Sequence, residues 1–528
     1  LERRWSALAA LGGIVLAATA LRFHRLGALP LWSDEGATLR FARKSFAQLW
    51  GPDAVRETNP PLFYSLQRLW LVLGASETAL RSLAALLGVA TVVLTYLLAS
   101  GLAPPDRRRR VGLLAAALCA LSTLQITYAQ EARAYNLMTA CALGVLVCLS
   151  ALLRRPTWAC RPLLARGHVS PEAAGERRHA HRLWGGYAVC TILLLYSHNT
   201  AVVLVALVQM VAIAWWLTVG KCSRDFAVNW LFYNAIALIA WSWWLPKIAH
   251  QAHYQLKDWW IPPPTAAALW ETTQDLFLPM HLASTKPVGA AVVALGVLLG
   301  LFAWRRRPLA LTLSAGMTGG GLLLLFALSY WRPMFLTRAV LWAGVPILVL
   351  IAAGVMALRP KPLRWALTAC LLLLWAKNTH TYYRYAAKPA WDQAAHFVQQ
   401  HDQPDDLLVF IWAHHDCAFA YYYPEDAPNA PRRIGLVGDD RQHFNPHDPG
   451  LAYITLQRLP FDALPDLASN YRTLWIITDQ PTNPQSQWLL DQLGPSSAQL
   501  DFPGRIRILT FGPAPTPSTP ATAAPAIH

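Results

Sequence analysis

Residues 5–23 read WSALAALGGIVLAATALRF, and shortly afterwards the chain turns acidic at Trp32-Ser33-Asp34-Glu35. A run of that length, with Arg22 near its end, is long enough to cross a bilayer core of roughly 30 Å. The same form recurs further along, where the apolar stretch 111–128 leads into Gln130-Glu131-Ala132-Arg133. Carboxylates at the ends of membrane-spanning helices are costly to desolvate. Their recurrence at two helix ends that face the same side points to a site at the membrane surface.

The rest of the composition agrees with a membrane class. The chain has 528 residues, of which 55% are hydrophobic and 14% charged, and its mean hydropathy is +0.30. That is too apolar for a soluble enzyme of this length. Many of the 24 tryptophans stand near segment ends, as at Trp215-Trp216, Trp243-Trp244 and Trp259-Trp260, where indole favours the headgroup boundary. The net charge of +16 does not signal nucleic acid, because the basic residues lie in short loops between apolar runs. Arg3-Arg4, Arg107 to Arg110, Arg154 to Arg182, Lys221 with Arg224, Arg305 to Arg307, and Arg359 with Lys361 and Arg364 fall at every second interval. The positive-inside rule asks this of cytoplasmic loops. The histidines of the 154–182 stretch, His168, His179 and His181, read as part of a solvated or lipid-facing loop. The eight cysteines show no CxxC spacing and only Cys417 is placed outside, so no structural disulfide is expected. The first apolar segment lacks a small-residue cleavage site and reads as a retained helix.

Apolar runs set against the basic loops give spans near 5–23, 79–101, 111–128, 134–153, 184–197, 200–219, 226–245, 286–304, 309–329, 336–358 and 363–379. The expected fold class is therefore a polytopic α-helical membrane protein of about eleven helices, with a helical hairpin at Ser197-His198-Asn199. A cytoplasmic N-terminus then puts the C-terminal portion outside. Leu62 to Gly74 is too short to cross, and with Ala37 to Trp50 it is expected to lie along the outer surface, making 24–78 a structured external loop. Beyond Lys388 the chain becomes polar, with a helix expected over Asp392 to Gln400 and strands over Leu407 to Trp412 and Leu474 to Thr478. The division is 1–385 as a membrane catalytic domain, 386–511 as a small extracytoplasmic α/β domain, and 512–528 as a disordered Pro, Ala and Thr tail.

Asp34, Glu35 and Glu131 are the candidate catalytic acids, since a carboxylate there can take a proton from a hydroxyl or amine nucleophile. Arg40, Arg43, Arg133, Arg332 and Arg338 share their side, against the topogenic bias. A lipid-linked phosphate supplies a reason, because guanidinium grips phosphate oxygens bidentately. His198 stands at the external end of a hairpin. Lys257 to Pro264 joins charge, indole rings and a stiff extended run suited to holding a sugar. His414-His415-Asp416-Cys417 looks like a ligand cluster, but four adjacent residues at a strand end point apart. No metal site is expected. Neither a Gly-rich phosphate loop nor a serine-centred elbow is present, which argues against cytosolic nucleotide use.

Taken in order, Trp32-Ser33-Asp34-Glu35, Asn59-Pro60-Pro61-Leu62-Phe63-Tyr64, Gln130 to Tyr135, Tyr196-Ser197-His198, Trp260 to Pro264 and Phe335-Leu336-Thr337-Arg338 resemble bacterial integral-membrane glycosyltransferases of the GT-C fold. The set is most similar to protein O-mannosyltransferases and aminoarabinose transferases, over roughly residues 5–385. The resemblance implies a polyprenyl-phosphate-linked monosaccharide as donor, transfer on the outer face and inversion at the anomeric carbon. It matches Asp34 to the family's catalytic acid and Glu131 to the second acidic position. Where aminoarabinose transferases carry a Lys and an Arg, this chain has Asn59 and Ala37, so phosphate binding falls to Arg133 and Arg338. His198, Asn59, Tyr64, Trp260 and Lys257 complete the candidate substrate-binding set.

The expected function is transfer of a monosaccharide from a polyprenyl-phosphate carrier to an envelope lipid, glycan or protein, without metal or other cofactor. The expected location is a bacterial inner membrane, with membrane lipids as neighbours. The alternative is a polytopic lipid or sugar transporter or flippase, which would favour ionisable groups near the bilayer midplane and discontinuous helices. Here the acids cluster at external helix ends.

Overall fold

The structure is a computed structural model in which residues 2–51, 54, 56–57, 59–155, 160, 171–221, 223–254, 261–277, 286–437, 454–480 and 483–512 are described. The chain divides into two compact units, Leu1–Leu26 with Thr58–Ala386 and Gly27–Glu57 with Ala387–His528. Contacts thus group 27–57, expected with the membrane portion, with the C-terminal sheet. The tail beyond Gly512 lies outside the described residues.

The first unit is a helical bundle, and the chain is a multi-pass membrane protein. Among the described residues seven helices are long and apolar enough to cross a membrane: Trp5–Phe23, Glu77–Leu102, Tyr135–Leu153, Ala201–Thr218, Pro287–Trp304, Pro308–Trp331 and Thr337–Ala357. Two bent pairs raise the number to nine if each is one span: Arg108–Ala120 with Thr123–Ala129 at 57°, and Arg224–Ser242 with Leu245–Gln251 at 53°. The second break precedes Pro246, whose missing N–H cannot join a continuing helix. The count of eleven is therefore not confirmed. Of the other expected spans, 184–197 all but ends with the helix Pro171–Leu195 and 363–379 falls within the helix Lys361–Tyr385. The first of these begins in the basic loop and the second carries Arg364, Lys377 and Arg384, so neither is apolar throughout. Leu62–Trp70 is a short helix, as its length implied.

Thr337–Ala357 is wholly enclosed by other helices and Tyr135–Leu153 nearly so. Small residues permit this closeness, as is usual between membrane helices. A Cβ on Gly300 would lie 2.4 Å from the carbonyl oxygen of Leu350, and one on Gly354 would lie 2.3 Å from the amide of Gly300. The two backbones touch there, so only glycine fits.

The second unit is an α/β domain with a six-stranded sheet of order β3-β2-β1-β4-β6-β5. The strands are β1 (Leu407–Ile411), β2 (Arg432–Val437), β3 (Gln457–Pro460), β4 (Leu474–Thr478), β5 (Ala498–Phe502) and β6 (Ile506–Phe511). The first four are mutually parallel, and β6 runs antiparallel to both β4 and β5. Every residue of β1 and β4 is buried, which explains their unbroken apolar runs. With side chains alternating along each strand, Leu408, Phe410, Trp475 and Ile477 pack under Trp391, Ala394 and Val398, while Leu407, Val409, Leu474 and Ile476 pack against Leu464 and Leu489. Burying each such side chain is worth about 1.5–3 kcal/mol.

Candidate active site

In the second unit the acidic motif opens the helix Ser33–Arg43. The carbonyl of Trp32 accepts from the amides of Glu35 at 2.9 Å and Gly36 at 3.0 Å, starting the helix directly at the acids. Two carboxylates in its first turn suit the positive end of the helix dipole. They then part company. Asp34 is half-buried, whereas Glu35 is 0% exposed and its Oε2 accepts from Lys388 Nζ at 2.8 Å. Its carboxylate is thus held in an internal ion pair, while Asp34 beside it keeps some solvent access.

Further along the helix, Arg40 Nη2 donates to Asp416 Oδ2 at 2.5 Å and to Glu425 Oε1 at 3.0 Å. Asp416 is 0% exposed and also lies 3.5 Å from Arg433. Burial pushes its carboxyl up from the usual range, against the pull of Arg40 and then Arg433. Between the two ion pairs the helix meets backbone, since a Cβ on Gly36 would lie 2.2 Å from the carbonyl oxygen of Cys417. Burial pushes the Cys417 thiol up to about 12, so it is an unreactive core group. Arg40 is accordingly occupied by carboxylates of its own unit.

In the first unit the segment after Thr123–Ala129 carries Glu131 and Arg133. Gln130 anchors it, with Nε2 donating to the carbonyls of Arg22 at 3.1 Å and His24 at 2.8 Å and Oε1 accepting from the Tyr382 hydroxyl at 2.9 Å. Nearby, His198 Nδ1 accepts from the amide of Thr200 at 3.2 Å, and the Thr200 hydroxyl lies 2.8 Å from the same nitrogen. A nitrogen that accepts an amide hydrogen carries none of its own, so the proton resides on Nε2. Burial, then Arg133 and Arg338, push His198 down to about 3. Its ring centroid is 6.0 Å from that of Tyr135, and the Arg338 guanidinium is 5.9 Å from the Tyr135 ring. Tyr128 lies within electrostatic reach of Glu131, Tyr135, Arg338 and Asp275. The Thr337 hydroxyl donates to Asp275 at 3.1 Å. One unit thus gathers two guanidiniums, two carboxylates, a neutral imidazole and two phenols.

Of the remaining candidates, Asn59 and Tyr64 belong to the first unit, Tyr64 being buried. Lys257 and Trp260 lie outside the described residues. The residues 414–417 diverge as strand-end geometry implies: His415 Nε2 meets Asp479 at 2.9 Å, Asp416 meets Arg40, and Cys417 sits under Gly36. Sequence reasoning missed Lys388 and Asp275, and it considered Asp416 only within the 414–417 cluster. In the sequence Lys388 marks only the point where composition changes. Nothing local marks a partner more than 350 positions away.

No protein-family model and no curated protein matches the sequence. Solved structures do. ArnT from Cupriavidus metallidurans in the apo state aligns over 96% of this chain and 98% of its own, with TM-score 0.59 and 12% identity. The same protein bound to undecaprenyl phosphate aligns over 97% and 98%, with TM-score 0.53 and 14% identity. The archaeal oligosaccharyltransferase AglB from Archaeoglobus fulgidus, in complex with an inhibitory peptide and a dolichol-phosphate, aligns over 92% of this chain and 71% of its own, with TM-score 0.53 and 12% identity. The fold is that of the GT-C membrane glycosyltransferases. The likeness to ArnT spans both units, including the C-terminal sheet domain.

Proposed function

We propose that this protein is a membrane glycosyltransferase that moves a monosaccharide from a polyprenyl-phosphate carrier to an envelope acceptor on the outer face of a bacterial inner membrane. The observation that carries this reading is the GT-C fold over nearly the whole chain, in which the motif acid Asp34 opens a helix and is only half-buried. The undecaprenyl phosphate in one ArnT structure and the dolichol-phosphate in the AglB complex support a lipid-phosphate carrier here. A transporter would not need an acid held at a helix start beside a second, ion-paired one.

In the reaction, an acceptor hydroxyl or amine attacks the anomeric carbon, the bond from that carbon to the phosphate oxygen breaks, and the polyprenyl phosphate leaves with the electron pair. Asp34 takes the acceptor's proton. Arg133 and Arg338 receive the charge developing on the leaving phosphate. The anion leaves readily, so no strong acid is required of the protein. His198, neutral at working pH, offers Nε2–H as a hydrogen-bond donor and cannot serve as a cationic acid. Attack opposite the departing phosphate inverts the anomeric centre, and no metal enters this scheme.

Mass spectrometry of envelope lipids and glycans from cells making the wild-type protein or Asp34→Asn tests this reading. A glycan or lipid that carries one more monosaccharide only with the wild type supports it. Identical profiles, with both proteins present in the membrane, overturn it.

A further inference from the structure

Glu35 and Lys388 form an ion pair in which the carboxylate is 0% exposed and the lysine 14%. Enclosing such a pair costs several kcal/mol per ion, and well-packed apolar residues often stabilise a fold equally well. What a buried pair supplies better than an apolar contact is a fixed direction. It does not stand alone. Five residues along the same helix, Arg40 is held by Asp416 and Glu425, and just before the helix the amide of Leu31 donates to the Tyr422 hydroxyl at 2.8 Å. Gly36 lies against the Cys417 carbonyl between these points. The helix is thus held at close approach by the Gly36 contact and in its rotation by charged pairs on different faces. Asp34 is one residue from Glu35, so the rotation that seats Glu35 on Lys388 sets the direction of Asp34.

We infer that the C-terminal sheet domain is a cradle for the catalytic helix, and that Lys388 and Asp416 are positioning residues that act on transfer through Asp34. This rests on the assignment of Asp34 as the base. Glu35 is the anchor by which Lys388 turns the helix, and the domain's contribution to the reaction is orientation.

The experiment measures kcat and donor KM on the full-length purified protein, with a polyprenyl-phosphate sugar, for Lys388→Met, Glu35→Gln and their double variant. Lys388→Met and Glu35→Gln are also made in an Asp34→Asn background. A misplacement near 1 Å predicts a loss of about 10²-fold in kcat for Lys388→Met, with donor KM unchanged. Adding Glu35→Gln removes the carboxylate left without its lysine but does not restore the rate, because the pair that directs the helix is still absent. In the Asp34→Asn background Lys388→Met lowers the residual rate no further, since the group being positioned is already gone. Equal proportional losses in both backgrounds, or a rise in KM alone, overturn the inference. So does full activity of a folded Lys388→Met variant. Wild-type activity of Asp34→Asn would instead overturn the assignment of the base, and is read separately. If Lys388→Met alone does not fold, the double variant, which buries no lone charge, decides between the outcomes by the same comparison.

Discussion

Gly36→Ala is a small change whose sign the structure decides. Judged by helix propensity alone it stabilises by about 1 kcal/mol. Nor does the backbone forbid it, because Gly36 is not among the glycines with positive φ. The obstacle is packing. The new methyl would meet the carbonyl oxygen of Cys417 at 2.2 Å, its carbon at 2.4 Å and the Ala418 amide nitrogen at 2.8 Å. These are backbone atoms of a helix packed on the sheet domain and cannot swing aside. Reaching ordinary contact at 3.4 Å needs a retreat of 3.4 − 2.2 = 1.2 Å. The expected destabilisation is about 1–3 kcal/mol, the usual range for overpacking. A helix that retreats by this much carries Asp34 with it, and a 1 Å misplacement of a catalytic group costs about 10²-fold in rate. Thermal unfolding of the purified protein and kcat with a polyprenyl-phosphate sugar measure the two effects. A raised melting temperature with unchanged kcat would refute the reasoning, since the helix would then be free of the Cys417 backbone.

Replacing Arg133 or Arg338 by Lys keeps the charge but loses the bidentate fork, and should cost about 1–3 kcal/mol in transition-state stabilisation, roughly 10-fold to 100-fold in kcat/KM; unchanged kinetics in both variants would remove them from the phosphate site. With His198 pushed down to about 3, the pH profile of transfer from about pH 5 to 8 should keep its shape in His198→Gln. The unfolded chain takes up this proton near pH 6.5 and the folded one only near 3, so His198 erodes stability as pH falls through 6.5, and His198→Gln should lose less stability between pH 7 and 5. An impermeant thiol reagent applied to intact cells should leave Cys160 unlabelled if the basic loops are cytoplasmic, and Cys417, buried with its thiol held neutral, should react only after unfolding.

Local patterns in the chain announced the features that local physics determines. Apolar run length marked the seven clear spans. Unbroken apolar stretches marked β1 and β4, and the 392–400 helix proved to be Trp391–His401. The count of eleven is not confirmed where runs are mixed: 184–197 continues a basic helix, and 363–379 carries Arg364 and Lys377 near its two ends. The candidate site is legible as residue types at helix ends: Glu131, Arg133, His198 and Arg338 stand there in the sequence, and the first unit gathers them. The difference between Asp34 and Glu35 was not legible. Two adjacent acids at a helix start look alike in sequence, and only the partner 353 residues away, Lys388, shows that one of them is ion-paired.

The central claim is tested most directly by donor turnover with the reconstituted protein. Wild-type protein in liposomes containing a radiolabelled polyprenyl-phosphate monosaccharide and an envelope lipid extract should move label to an acceptor and release polyprenyl phosphate. Asp34→Asn, folded to the same melting temperature, should be slower by roughly 10²-fold or more. Transfer at the wild-type rate by Asp34→Asn, or equal transfer from a soluble nucleotide sugar, would contradict it.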